Sequence, residues 1–171
     1  PPARPVAAVV PMVSIAHIIL MHPNEDIFLT RKRSSAVKND FLVYANSHCV
    51  PFREKAFNAL VMLASNRNFT RPVSLGKCHG EHAETMLSGQ SDKGKNMAVM
   101  SRFKFALVME NANVAGYVTE KIAMAFMGGT IPIYYGSNVI FKLFHEDAFV
   151  FYDITNPKPA LDRIAYLESN A

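Results

Sequence analysis

The chain has 171 residues, half of them apolar and only 19% charged, a composition that builds a core and excludes a disordered or low-complexity protein. This length suits one domain of ordinary size, large enough to bury a core without staples. A net charge of +4 favours an anionic ligand such as a phosphate group and is too small to indicate nucleic acid as a partner.

The first forty residues hold two features. The apolar run from Pro5 to Met21 reaches the short limit of a membrane span, but Pro5 and Pro11 break it and His17 lies inside it. Without a charged leader or a cleavage site it reads as a buried strand and connector, or the edge of a larger protein, so membrane association is expected only through regions not evident in this chain. Arg31-Lys32-Arg33 has no interleaved aromatics and reads as a solvated loop.

From residue 41 onward, strand and helix patterns alternate. FLVYAN (Phe41–Asn46) has strand character. Pro51–Asn66 reads as a helix, with Pro51 in its first turn and Ala56, Phe57, Leu60, Val61 and Ala64 at helical spacing. The polar, glycine-containing stretch from Arg67 to Gly94 reads as loops and short pieces. Lys104–Glu110 is a strand, Tyr117–Met127 a helix stopped by Gly128-Gly129, and Thr130–Tyr135 the next strand. Asn138–Phe144 is a short helix or turn, Ala148–Asp153 a strand and Ala160–Ser169 a last helix. Such alternation predicts an α/β fold with a Rossmann-like parallel sheet and right-handed crossovers. Ligands of such sheets bind beyond the carboxyl ends of the strands, where the loop between Glu110 and the following helix must lie.

That loop carries the chemistry. A helix amino end offers free N–H groups and partial positive charge to a phosphate, and Lys121 adds a full charge. Glu120 can accept hydrogen bonds from sugar hydroxyls, Tyr117 offers a flat face and a hydroxyl, and Asn111 a donor and an acceptor just past the strand. The set suits a nucleotide sugar. An ordinary helix start, with Thr119 as its cap and Glu120 and Lys121 as exposed surface, accounts for the same residues.

Other chemistries lack their motifs. The chain has no Walker A sequence, no GxGxxG, no GxSxG elbow and no Asp-x-Asp pair. His145-Glu146-Asp147 reads as a solvated turn, and His79, Glu81, His82 and Glu84 as a surface loop, so no metal site is expected. Cys49 and Cys78 read as two buried free thiols, with a disulfide only in an oxidising lumen. Asn68-Phe69-Thr70 is a lone glycosylation sequon.

The segment ENANVAGYVTEKIAMAFMGGTIPIYYG closely resembles the signature of the alpha-1,3/1,4-fucosyltransferases, which use GDP-fucose. FKFALVMEN, ANSHCVPFREKAFNAL, RPVSLGKCHG and AFVFYDITNPKPALDRIAYLESN resemble the family text around it, from about Phe41 to Asn170. The resemblance implies a GT-B fold of two Rossmann-like domains, of which residues 41–171 are the C-terminal, GDP-fucose-binding one. Residues 1–40 are then a linker or a remnant of the acceptor domain.

Carried over residue by residue, Arg53, Asn111, Tyr117, Glu120 and Lys121 match donor-contacting positions. Arg53 and Lys121 would neutralise the diphosphate, and Glu120 would serve the reacting sugar as the catalytic carboxylate of this half. The family inverts at the anomeric carbon, with a base supplied by the N-terminal domain, for which no sequence is found here. A glycan of GlcNAc type is the implied acceptor, and no cofactor is required, with a divalent cation such as manganese at most a stimulant. Eukaryotic members are Golgi membrane proteins with a lumenal catalytic part, whereas bacterial ones lack the anchor. A non-catalytic GDP-sugar-binding module is the alternative. At YYGSNVI the chain departs from the family, where a proline usually follows near the glycine.

Overall fold

The computed structural model describes residues 38–46, 48–76, 78, 83–84 and 99–170. The apolar run Pro5–Met21, the basic triplet Arg31-Lys32-Arg33 and the side chains of the His79–Glu84 cluster lie outside the described residues. No helix among those described is long and apolar enough to cross a membrane.

Six strands form one parallel sheet: β1 (Asp40–Ala45), β2 (Val73–Leu75), β3 (Ala83–Glu84), β4 (Phe103–Met109), β5 (Ile131–Tyr135) and β6 (Val150–Phe151). Their spatial order is β3-β2-β1-β4-β5-β6. The chain thus winds outward in one direction from β1 and in the other from β4. The crevice between these two strand ends is a topological switch point, where open α/β sheets bind their ligands. The expected Rossmann-like sheet is present.

Four α-helices described in full cover it: α1 (Pro51–Arg67), α2 (Glu120–Met127), the short α3 (Ile140–Leu143) and α4 (Lys158–Ser169). Successive strand residues point to opposite faces, so each central strand feeds two cores. Tyr44, Phe105, Leu107, Met109 and Ile133 pack under Phe57 and Leu60 of α1 and Ile164 of α4. Val43, Ala106, Val108 and Tyr134 pack under Ile122 and Ala125 of α2 and Ile140 of α3. A sheet buried on both faces explains why β4 reads as an unbroken apolar run rather than an alternating one.

Several boundaries differ from the sequence reading. β2 and β3 lie inside the stretch expected to be loops. At three and two residues they are too short for periodicity to register, and pairing with β1 and with each other makes them strands. Helix α2 starts at Glu120, not Tyr117, because Val118 is buried in the core and Thr119 is extended at φ −109°, ψ −178°. β6 is only Val150–Phe151, and α4 begins two residues early, at Lys158.

The cysteines require a correction: Cys49 and Cys78 are joined in a disulfide rather than left as free thiols. Cys49 follows β1 and Cys78 follows β2, and these neighbouring parallel strands end side by side. Asn46 N–H donates to Leu75 O at 3.0 Å and Cys78 N–H to Asn46 O at 3.1 Å, which zips the two exits together. Gly76 completes the turn at φ +101°, where a Cβ would stand 2.5 Å from Asn46 O. The resulting Cα–Cα distance of 5.0 Å suits a disulfide, although 29 positions separate the residues.

Candidate functional site at the switch point

Helix α1 and helix α2 lie on opposite faces of the sheet, yet each sends a cation to the carboxyl end of β4. Arg53, in the first turn of α1, is fully buried. Its Nη2 donates to Met109 O at 2.6 Å and to Asn111 Oδ1, and its Nη1 donates to His48 O at 3.1 Å. The guanidinium thereby ties the β1–α1 loop to the β4–α2 loop. Burial lowers its pKa from the ordinary arginine value, while the charge of Glu110 acts in the opposite direction. Nε has no hydrogen-bond partner among the described residues.

Lys121 approaches from the other face, one residue further along. Its Nζ donates to Glu110 Oε2 at 3.0 Å and to Thr119 Oγ1 at 2.9 Å. Glu110 is fully buried, and its Oε1 accepts the Thr119 N–H at 2.7 Å. The Thr119 hydroxyl lies 3.0 and 2.8 Å from the two carboxylate oxygens. Thr119 holds the N-cap position of α2 but makes no side-chain cap. Its hydroxyl is turned to Glu110, so Thr119 supplies no side-chain acceptor to the N–H groups of the first turn of α2.

Tyr117 is half-buried, and its phenol lies close enough to interact electrostatically with Arg53. Asn111 is exposed apart from its link to Arg53, and Glu120, at the first position of α2, is half-buried. The five residues expected at the site therefore belong to the two loops and helix starts that flank one strand end. Arg53 differs from a simple phosphate arm, because both Nη2 protons are spent on protein oxygens.

Sequence reasoning passed over Glu110, although it is the buried centre of the cluster. The available signal was an acidic residue placed directly after the apolar run FALVM, where burial is expected and a cationic partner is needed. Ser137, at the departure from the family pattern, also finds a role. Its Oγ accepts from Gly116 N at 3.1 Å and from Val139 N at 3.3 Å, fastening the β5–α3 turn to the site loop.

The acidic turn at His145-Glu146-Asp147 is exposed and self-contained: His145 Nδ1 accepts the Asp147 N–H and Arg163 pairs with Asp147 at 3.0 Å. No group of three metal-ligating side chains occurs among the described residues.

Residues 36–171 match the family model for Glycosyltransferase family 10 (fucosyltransferase) C-term. The chain belongs to this fucosyltransferase family. It is 35% identical over 151 residues to an alpha-(1,3)-fucosyltransferase of Helicobacter pylori, a match that covers 87% of this chain and 29% of that protein. An alpha-(1,4)-fucosyltransferase of Arabidopsis thaliana is 30% identical over 132 residues, covering 70% and 31%. The chain thus spans about 30% of the length of these relatives.

Among solved structures, an alpha1,3-fucosyltransferase superposes with a TM-score of 0.62 at 26% identity, over 91% of this chain and 39% of that one. An alpha1,3-fucosyltransferase with GDP-fucose gives 0.60 at 28% identity, over 88% and 39%. The sheet is the C-terminal Rossmann-like domain of a GT-B fucosyltransferase.

Proposed function

We propose that this chain is the donor-binding half of an inverting alpha-1,3-fucosyltransferase, taking GDP-fucose as donor and a GlcNAc-type glycan as acceptor. The observation that carries the reading is the convergence of Arg53 and Lys121 on residues 109–111 at the switch point of a fucosyltransferase-family sheet. Cationic groups there stabilise the diphosphate as it departs with the charge of the broken glycosidic bond. Lys121 keeps a donor for a phosphate oxygen, and the uncapped start of α2 adds its backbone N–H groups. Arg53 contributes its field and the placement of Asn111.

Tyr117 and Asn111 flank the nucleotide, and Glu120 faces the fucose ring, where a carboxylate hydrogen-bonds hydroxyls and offsets positive charge at the anomeric carbon. A carboxylate base outside residues 41–171 activates the acceptor hydroxyl. No metal is needed in this scheme, and manganese acts at most as a stimulant. The Cys49–Cys78 disulfide supports an oxidising compartment, in keeping with the lumenal side of Golgi membranes.

Titration calorimetry with GDP and UDP, followed by transfer from GDP-fucose to a Galβ-GlcNAc acceptor, tests the proposal. Binding of GDP but not UDP is expected of this chain, with transfer once it is joined to a half that supplies the acceptor site and the base. UDP binding alone sinks the donor assignment, and GDP-fucose binding without transfer even with such a half joined leaves a sugar-nucleotide-binding module in place of an enzyme.

A further inference from the structure

Glu110 is fully buried at the end of β4, yet the donor scheme gives it no contact with the ligand. Both of its oxygens are engaged: Oε1 by the Thr119 N–H, and Oε2 by Lys121 Nζ at 3.0 Å. An ammonium has three N–H donors. Lys121 gives one to Glu110 and one to Thr119 Oγ1, which leaves one for a ligand on a side chain that is still 25% exposed.

We propose that Glu110, through Thr119 and Lys121, is a positioning residue that holds the Lys121 ammonium with its single remaining N–H aimed at the donor diphosphate. The inference rests on the reading that Lys121 meets that diphosphate.

A lysine stem has many rotamers, and freezing them before the ligand arrives removes that cost from binding. Glu110 can do this because it is itself immobile. It is anchored to backbone at Thr119, flanked by Gly136 and held off from water. An amide cannot replace it. A carboxylate accepts at both oxygens, whereas glutamine accepts at one and presents an NH₂ at the other. In Glu110→Gln that NH₂ faces either the Thr119 N–H or the Lys121 ammonium, so one donor is expelled. The Thr119 N–H is fixed by the backbone, and Lys121 is the group that moves.

Charge alone predicts the opposite outcome. Removing a negative charge beside an anion site should tighten anion binding. The two effects therefore give changes of different sign.

The test is GDP affinity measured by calorimetry on the full chain for the wild type, Glu110→Gln, Lys121→Met and the double variant, with Thr119→Val as a second probe of the same bridge. Glu110→Gln is expected to weaken GDP binding about tenfold, the scale of one hydrogen bond to a charged group. In the Lys121→Met background the same change should alter affinity less than twofold, because the lysine through which it acts is gone. Thr119→Val should show the same dependence on Lys121 with a smaller loss, and it decides the matter should Glu110→Gln not fold. Tighter binding in Glu110→Gln, or equal losses in both backgrounds, overturns the proposal while leaving the donor reading intact. A wild-type chain that binds no GDP overturns both.

Discussion

The guanidinium of Arg53 donates to the side-chain oxygen of Asn111, although 58 positions separate the two residues. This bond and its companions to His48 O and Met109 O make Arg53 a clamp between the two loops of the switch point. Replacing Arg53 by Ala removes the donor of the buried Met109 carbonyl and opens a cavity beneath α1. The expected cost is about 3 kcal/mol of stability, in addition to any loss of GDP affinity. Chemical denaturation measures it. A variant as stable as the wild type, with only ligand binding lost, would mean the arginine is a ligand contact alone.

The Tyr134 hydroxyl is buried against the Glu110 side chain and has no hydrogen-bond partner among the described residues. Burial and the nearby Glu110 charge push its pKa well above the ordinary phenol value, so it stays neutral. An unsatisfied buried hydroxyl is a net cost. Tyr134→Phe should therefore be neutral to stabilising, by up to about 1 kcal/mol, with a matching rise in Tm. A loss above that size would show that the hydroxyl does have a partner.

Gly136 fits only because it lacks a side chain. A Cβ there would stand 2.4 Å from the Tyr134 hydroxyl and 2.7 Å from Glu110 Cγ. Gly136→Ala should cost about 1–3 kcal/mol, the usual penalty for overpacking. Part of that cost should vanish in the Tyr134→Phe background, since the hydroxyl, the nearest of three atoms within 3.0 Å, is removed while the ring carbon at 2.9 Å stays. Equal costs in both backgrounds would assign the strain to Glu110 and the Tyr134 ring rather than to the hydroxyl.

How much of this the sequence disclosed depends on the reach of each signal. β1, β4 and β5 announced themselves as unbroken apolar runs, because each feeds both cores, and the helices α1, α2 and α4 through apolar spacing, because each buries one face against one core. Strands β2 and β3 did not, since a two- or three-residue strand exists only by pairing with a neighbour. The loop residues Asn111, Tyr117, Glu120 and Lys121 were visible as a polar interruption between apolar runs. Glu110 was hidden because it continues the strand in position while differing in chemistry. The Cys49–Cys78 pairing was hidden because it depends on β1 and β2 being adjacent, and sequence separation says nothing of that.

Asp153, just after β6, accepts from the hydroxyl of Thr155 at 2.7 Å and from its backbone N–H at 2.8 Å. The side-chain bond first, then the backbone one, holds its carboxyl below the ordinary aspartate range. A pKa lowered by folding contributes stability above the unfolded-state value, about 3.9, and that contribution is lost as pH falls through the folded value. Asp153→Asn should remove this part of the acid dependence and lower stability slightly at neutral pH, to the level the wild type keeps once this carboxyl is protonated. Carbon-detected titration of the Asp153 carboxyl checks the premise, and an ordinary titration midpoint would refute it.

The disulfide links the exits of β1 and β2, and the carbonyl next to Cys49, that of His48, is one of the acceptors of Arg53. Two effects of reduction follow from that chain of contacts. First, closing a loop across 29 positions restricts the unfolded chain, so reduction should lower stability by about 3–4 kcal/mol. Second, a loosened β1–α1 loop frees the His48 carbonyl, and Arg53 then holds Asn111 less firmly, so GDP affinity should fall as well. Thermal melts and GDP titrations with and without a phosphine reductant read both, and a Cys49→Ser, Cys78→Ser double variant should reproduce the reduced state without reductant. An unchanged Tm on reduction would mean that the parallel pairing of β1 and β2 holds the two exits together without the covalent bond. A lowered Tm with unchanged GDP affinity would separate the disulfide from the site and leave Arg53 anchored through Met109 and Asn111 without His48.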